Sequence, residues 1–215
     1  MGTGLPKALV LLAGQPLLTR ALATVARCPD VSLVVIVAPP SRLDEAGAAV
    51  SGAQVPAGLE VLVVPGGTSR GDSVAAGLAA LPRQASIVLV HDAARALAPV
   101  SLFASVIEAV RAGHSAVIPG LPVVDTIKEV DAAGHVVSTP DRSSLRAIQT
   151  PQGFDREVLR RAHESSAGAL VTDDAALVER MGIGVHVIAG DPLALKITTR
   201  EDLVLAETML ERRPA

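Results

Sequence analysis

Leu59-Glu60-Val61-Leu62-Val63-Val64-Pro65-Gly66-Gly67-Thr68-Ser69-Arg70-Gly71-Asp72-Ser73-Val74-Ala75-Ala76-Gly77-Leu78-Ala79-Ala80-Leu81 contains a whole strand, turn and helix in one pass. Leu59–Val64 is a short aliphatic run rich in β-branched residues. It passes through a proline and three glycines into Ser73–Leu81, where the apolar spacing becomes helical. The pattern recurs on either side. Val31–Ala38, Ser86–Val90 and Ser115–Ile118 read as buried strands, and Pro16–Arg27, Ser41–Val50 and Val100–Ala112 as helices. Pro16 and Pro99 stand where a helix begins, a position that tolerates a missing N–H. Strands that are apolar on both faces and alternate with helices predict an α/β fold whose parallel sheet is covered on both sides.

The alternation breaks between Pro122 and Gln149. Val123–Val130, a turn at Asp131–Gly134 and His135–Ser138 predict a hairpin-like arm over about residues 122–149. Helices are expected again at Asp155–Glu164 and Asp173–Met181, a strand at Val185–Ile188 and a last helix over about Arg200–Arg212. No internal repeat interrupts this order, so residues 1–215 are expected to form one domain carrying an arm.

Composition removes several function classes. The chain has 215 residues, 49% of them hydrophobic, and a net charge of −3. It has no apolar run of the ~18 residues that a membrane span needs, and its N-terminus lacks a signal-peptide pattern. Cys28 is the only cysteine, which excludes an internal disulfide and a multi-cysteine metal site. A cytoplasmic protein is expected. Phe103 and Phe154 are the only aromatic residues besides histidine, and no basic run is present. A single-stranded nucleic-acid surface built from stacking rings and a basic groove is therefore not expected; a free nucleotide suits the chain better.

In open α/β sheets ligands bind beyond the carboxyl ends of the strands, and the polar segments fall there. Gly66–Ser73 combines glycines, hydroxyls and Arg70 before a helix. It suits close backbone approach to an anion or an acceptor edge, or is a plain strand–helix turn with Asp72 as N-cap. His91-Asp92-Ala93-Ala94-Arg95 follows Ser86–Val90. Asp92 is a candidate Mg²⁺ ligand and Arg95 a candidate phosphate clamp, the alternative being an Asp–Arg ion pair at a helix entrance. His91 reads as a structural hydrogen-bonding residue. Lys196 sits between apolar neighbours in an expected strand, where a charge needs either a partner or an exposed edge. Lys7 and Lys196 are candidates to neutralise charge growing on phosphate oxygens. Thr172 is a candidate N-cap for the helix after it.

The order of these short segments resembles the methylerythritol-phosphate cytidylyltransferases of the non-mevalonate isoprenoid pathway. The resemblance runs from Pro6-Lys7-Ala8-Leu9 through Gly66-Gly67, Arg70, Asp72-Ser73-Val74 and His91–Arg95. It continues through Asp125-Thr126-Ile127-Lys128, Gln149-Thr150-Pro151-Gln152, Thr172-Asp173-Asp174 and Lys196-Ile197-Thr198-Thr199-Arg200-Glu201-Asp202-Leu203. It implies a Rossmann-like nucleotidyltransferase sheet, mostly parallel, with a protruding β-arm that makes a homodimer. The implied reaction joins CTP and 2-C-methyl-D-erythritol 4-phosphate with Mg²⁺ and releases pyrophosphate. By the same resemblance, Gly67, Thr68 and Ser73 would surround the cytosine, and Asp92 and Ala93 would lie by the ribose and phosphates. Arg95, Thr150, Thr172 and Lys196 would face the acceptor, and Thr126 and Arg142 would reach across from a partner subunit.

The chain also departs from that family. Thr68 stands where an acidic residue is frequent, and Ala96 where proline is common. The family opens with a central strand and a glycine-rich loop bearing an arginine, whereas Met1-Gly2-Thr3-Gly4-Leu5-Pro6-Lys7 matches only the tail of that loop. We expect Met1 to be an internal methionine of a chain that extends upstream, because a lost middle strand leaves two neighbours with unpaired backbone groups. A ribitol-5-phosphate cytidylyltransferase is the nearest alternative, and a non-catalytic nucleotide-binding remnant is the alternative from another class. A dehydrogenase has little support, since Gly2-Thr3-Gly4 follows no strand.

Overall fold

A computed structural model describes residues 6–165 and 173–212. After a 3₁₀ turn at Lys7–Leu9, β1 (Leu11–Leu12) and β2 (Gln15–Pro16) form a miniature hairpin. Its turn residues, Ala13 and Gly14, have φ of 45° and 78°. Arg20 clamps this turn by donating from Nε to the Leu12 carbonyl at 2.8 Å and from Nη2 to the Ala13 carbonyl at 3.1 Å. Arg20 lies in α1 (Leu17–Val25), which starts directly after Pro16 and buries Leu17, Leu18, Ala21 and Leu22 on one stripe.

Two strand–helix units follow: β3 (Leu33–Ala38) with α2 (Leu43–Ser51), and β4 (Glu60–Pro65) with α3 (Arg70–Ala79). β3 and β4 pair in parallel from Leu33↔Glu60 to Ala38↔Pro65. Next come β5 (Ile87–Val90), α4 (Val100–Arg111) and β6 (Ala116–Pro122). Leu102, Phe103, Val106, Ile107 and Val110 form the buried stripe of α4, each large side chain contributing about 1.5–3 kcal/mol by burial.

The outer arm is a hairpin, but a shorter one than expected: its ladder joins β7 (Glu129–Val130) to β8 (Val136–Ser138). Val123–Lys128 forms no ladder, having no second strand beside it to take up its backbone groups. Asp131 organises the turn, its Oδ1 accepting from the N–H groups of Ala133 and His135.

β9 (Arg146–Ile148) and β10 (Gln152–Asp155) were not expected as strands. Both pair antiparallel with β6, β9 at Gly120–Pro122 and β10 at Ala116–Val117. On its other side β10 pairs antiparallel with β5 from Gln152↔Val90 to Asp155↔Ile87. After α5 (Arg156–Ser165) and α6 (Asp174–Arg180), β11 (His186–Ala189) pairs in parallel with β6, and α7 (Arg200–Glu211) ends the described chain. The sheet order is therefore β11-β6-β10-β5. β5, β6 and β11 run the same way, with β10 inserted against them.

The sheet is covered on both faces. Phe154 of β10 packs with Leu159, Ala162, Leu177 and Val178 of α5 and α6. A side chain on Gly153 would collide with Val106 of α4 on the opposite face, so consecutive residues of β10 serve the two layers. A cavity of about 750 Å³ lies between β3 and β5 and is lined by both strands. Arg70, Ser73, Asp92 and Ala93 also border it. Among the described residues β3 is ladder-bonded only to β4, and β5 only to β10.

Candidate active site

The glycine loop between β4 and α3 is shaped by its own hydroxyls. Gly66 donates to the Ala38 carbonyl at 2.8 Å, continuing the line of the sheet. Ser69, not Asp72, is the N-cap of α3. Its Oγ accepts from the Asp72 N–H, while Asp72 at the third helical position accepts from the Ser69 N–H, which makes a capping box. Thr68 Oγ1 also donates to Asp72 at 2.8 Å, and this hydrogen bond leads those that hold the Asp72 carboxyl below the usual carboxylate range. Ser73 Oγ accepts from the Gly67 N–H and donates to the Ser69 carbonyl. Thr68 and Ser73 thus set the loop's shape. Gly67 has to be glycine, because a Cβ there would overlap Cβ of Asp72.

β5 delivers Asp92 just past its carboxyl end, and a second segment brings Lys196 to it. The Ile197 N–H donates to the Ala94 carbonyl at 2.9 Å. Ile197 is fully buried in a cluster with Leu12, Leu17, Ala96, Leu97 and Ala206. That anchor places Lys196 Nζ 2.9 Å from Asp92 Oδ2. The expected strand at Lys196 is absent: its segment runs between a 3₁₀ turn at Pro192–Ala194 and α7 without joining a sheet. Lys196 is held by burial of its neighbour and by the capping box of α7, in which Thr199 and Asp202 pair reciprocally. Asp202 Oδ2 accepts from the N–H and hydroxyl of Thr198 and from the Thr199 N–H, which takes its pKa down to about 2.

Asp92 is partly buried, which opposes its charge, but the hydrogen bond and charge of Lys196, helped by Arg70 and Arg95, outweigh this and lower its pKa. Arg95 is 3.9 Å from Asp92 through Nε and only 11% exposed. Its Nη1 donates to the Ala194 carbonyl at 2.6 Å and its Nη2 to the Ile148 carbonyl at 3.3 Å. It straps three segments together behind the carboxylate, and burial lowers its pKa.

Thr150 lies between β9 and β10, where the Thr150–Pro151 bond is cis, and is itself buried. Its Oγ1 accepts from the Asp92 N–H at 3.0 Å and lies 3.0 Å from His91 Nδ1. The hydroxyl thus links the Asp92 backbone to the His91 ring. His91 is fully enclosed, its ring 4.9 Å from that of Phe103, and burial lowers its pKa to about 4. It supports Asp92 from behind, as a structural residue should.

Two acidic residues of α6 link the loop to the sheet. Asp173 caps α6 through the Ala176 N–H and accepts from Gln152 Nε2 at 3.2 Å. Asp174 is 1% exposed and pairs with Arg70 Nη1 at 2.8 Å and His163 Nε2 at 2.9 Å. The motif order pointed to Arg70 and Asp174 without giving either a role, since nothing local shows that they meet. Thr172 lies outside the described residues, and the cap expected of it is supplied by Asp173.

The remaining candidates are placed as follows. Lys7 is exposed on its 3₁₀ turn, where Ala8 and Leu9 share an apolar cluster with Ala93. Thr126 and Arg142 are exposed on the arm, with Arg142 Nη1 donating to the Val124 carbonyl at 2.6 Å. Among the described residues neither bonds to Asp92, Arg95 or Lys196. The structure thus joins Arg95, Thr150 and Lys196 to Asp92 and sets Ser73 and Ala93 with Asp92 on one cavity; Gly67 and Thr68 bond within the loop that carries Ser73, and the arm residues stand apart.

Comparisons with known proteins place the whole chain in one family. The sequence profile of the family described as 2-C-methyl-D-erythritol 4-phosphate cytidylyltransferase matches residues 1–212. The protein of that name from Streptomyces avermitilis is 50% identical, over 99% of this chain and 87% of its own length. The one from Nocardia farcinica is also 50% identical, over 100% of this chain and 90% of its own. The crystal structure of 4-diphosphocytidyl-2C-methyl-D-erythritol synthase from Anaerococcus prevotii superposes with a TM-score of 0.87 at 32% identity, covering 98% of this chain and 92% of that one.

Proposed function

The chain belongs to the 2-C-methyl-D-erythritol 4-phosphate cytidylyltransferase family, and on that premise we propose how its residues act. It is a nucleotidyltransferase that moves a cytidylyl group from CTP to 2-C-methyl-D-erythritol 4-phosphate in isoprenoid precursor synthesis. The observation that supports the site is the Lys196–Asp92 pair, 2.9 Å apart at the carboxyl end of β5.

Gly67, Thr68 and Ser73 face the cytosine across a loop held in shape before the ligand arrives. Asp92 and Ala93 lie by the ribose and phosphates. The donor set suits Mg²⁺ held with substrate: Asp92 is a lone ionised carboxylate, and Mg²⁺ is commonly bound by one or two carboxylates plus substrate phosphates. When bound there, Mg²⁺ supplies charge neutralisation for the triphosphate.

An oxygen of the acceptor phosphate attacks the α-phosphorus of CTP in line. The new P–O bond forms as the bond to pyrophosphate breaks, and pyrophosphate carries away the electron pair. A phosphate monoester is already anionic near neutral pH, so neither a protein nucleophile nor a strong base is required. The protein holds two mutually repelling anions together while Lys196 and Lys7 spread the growing charge. Arg95 and Thr150 hold Asp92 and its loop on the acceptor side.

The chain acts as a homodimer through its arm, which exposes Val124, Val130, Val136 and Val137. Several large apolar side chains exposed on one short arm suit burial against a second copy. Thr126 and Arg142 then reach the partner's acceptor. Both substrates are small soluble metabolites, which suits a cytoplasmic enzyme; among the described residues no helix is long and apolar enough to cross a membrane.

Pyrophosphate release with CTP, Mg²⁺ and methylerythritol phosphate, each omitted in turn, tests this reading. Release should require all three. A folded chain that binds CTP but stays silent overturns the reaction, and preferential use of ribitol 5-phosphate moves the assignment to that acceptor.

A further inference from the structure

Asp174 opens α6 almost completely buried, and nitrogens of two other elements lie against it, one in a hydrogen bond and one in an ion pair. His163 Nε2 of α5 lies 2.9 Å from Oδ1, and Arg70 Nη1 of α3 lies 2.8 Å from Oδ2. A buried carboxylate requires partners, and His163 alone would give one within the α5–α6 layer. Arg70 reaches in from a site that is 38% exposed. It is the first residue of α3, where a positive charge opposes the helix dipole. Local helix energetics therefore do not favour an arginine there, whereas the distant carboxylate does.

The carboxylate is itself anchored. Its neighbour Asp173 caps α6 and accepts from Gln152 of β10, so Asp174 is fixed relative to the sheet end that carries Thr150 and Asp92. On the other side, Arg70 directly follows the loop of Gly67, Thr68 and Ser69, and its charge acts on Asp92. We propose that Asp174 is a positioning residue for the nucleotide loop. It holds Arg70, and with it the N-terminus of α3, in the place from which Gly67, Thr68 and Ser73 receive the base. The inference rests on the CTP site proposed above.

The test compares wild type with Asp174→Asn, Arg70→Ala and the double variant. The readouts are hydrogen exchange over residues 66–73 without ligand, and KM and kcat for each substrate. Each single variant should speed exchange in the loop and raise KM for CTP about tenfold. In Asp174→Asn, which keeps the Arg70 charge, KM for methylerythritol phosphate and kcat should stay within about twofold. The double variant should be no worse than either single one, because both break the same tether. Arg70 lies at the surface, so Arg70→Ala remains informative if Asp174→Asn fails to fold. Unchanged loop exchange and CTP KM in folded Arg70→Ala, or fully additive losses in the double variant, overturn the proposal. If exchange responds while wild type releases no pyrophosphate, the tether stands and the reaction falls. Wild type that binds no CTP overturns both.

Discussion

Nζ of Lys196 lies 2.9 Å from Oδ2 of Asp92, although one residue precedes the last described helix and the other follows a strand near the middle of the chain. Lys196 is 47% exposed and Asp92 23%. Such a pair contributes little to folding, since a half-exposed ion pair is screened by water. Its place at the strand end gives it a chemical use instead.

Lys196→Ala should therefore lower kcat by about 10²–10³-fold, the usual effect of removing one preorganised charge-stabilising group. The melting temperature should fall by no more than about 4 °C, equivalent to ~1 kcal/mol for a chain of this size. Steady-state kinetics beside a thermal melt check both. A large loss of melting temperature would count against the catalytic role.

His91 should make stability depend on pH. Its folded pKa of about 4 lies below the ordinary value of 6.5, so between these values the unfolded chain binds more protons than the folded one. Stability is thus full above pH 6.5 and is lost as pH falls toward 4, by on the order of 3 kcal/mol. Urea unfolding at pH 7 and pH 5 measures the slope. His91→Asn removes the titrating ring but keeps a polar group facing Thr150, and should flatten it.

Gly67→Ala should disturb nucleotide binding more than folding. The added methyl would overlap Asp72, and relieving that overlap pulls apart the capping box that shapes the loop. Losing the cap costs about 1 kcal/mol of stability. KM for CTP should rise about tenfold, as for ~1.4 kcal/mol of lost contact. A variant with wild-type CTP kinetics would show that the loop does not hold the base.

Ala13→Asn should stabilise the protein. Ala13 and Gly14 both have positive φ in a two-residue hairpin, the conformation for which Asn-Gly is preferred. Alanine in this region costs roughly 1–2 kcal/mol that asparagine largely avoids. A rise of about 2–4 °C in melting temperature is expected. No rise would indicate that the Arg20 clamp already dictates the turn.

Val137→Asp should dissociate the proposed dimer. Val137 is 62% exposed on β8, and an added charge in an apolar contact has no partner. Light scattering at a fixed concentration should then find a monomer in place of a dimer, with the far-UV spectrum unchanged. An unaltered dimer would move the interface away from this part of the arm.

Most helices and parallel strands were legible because their signals are local. The aliphatic run before Gly66 and the Leu102–Val110 stripe carry their periodicity within a dozen residues. β9 and β10 were not legible. Gln152-Gly153-Phe154-Asp155 has no β-branched residue and becomes a strand only because β5 and β6 offer it two edges. Lys196 misled for the related reason that apolar neighbours signal burial without saying in what. Ile197 is buried in a helix-lined cluster and not in a sheet.

The sequence by itself determined the α/β alternation, the glycine loop beyond β4, the acid beyond β5 and the motif order that marks the family. These depend on residue types at short spacings. The tertiary structure alone decided that Lys196 meets Asp92, that Thr150 holds the Asp92 backbone and that Asp174 holds Arg70. Each of those pairs joins segments far apart in the chain. Their meeting is governed by sheet order and by which apolar faces pack together, and no local pattern records either.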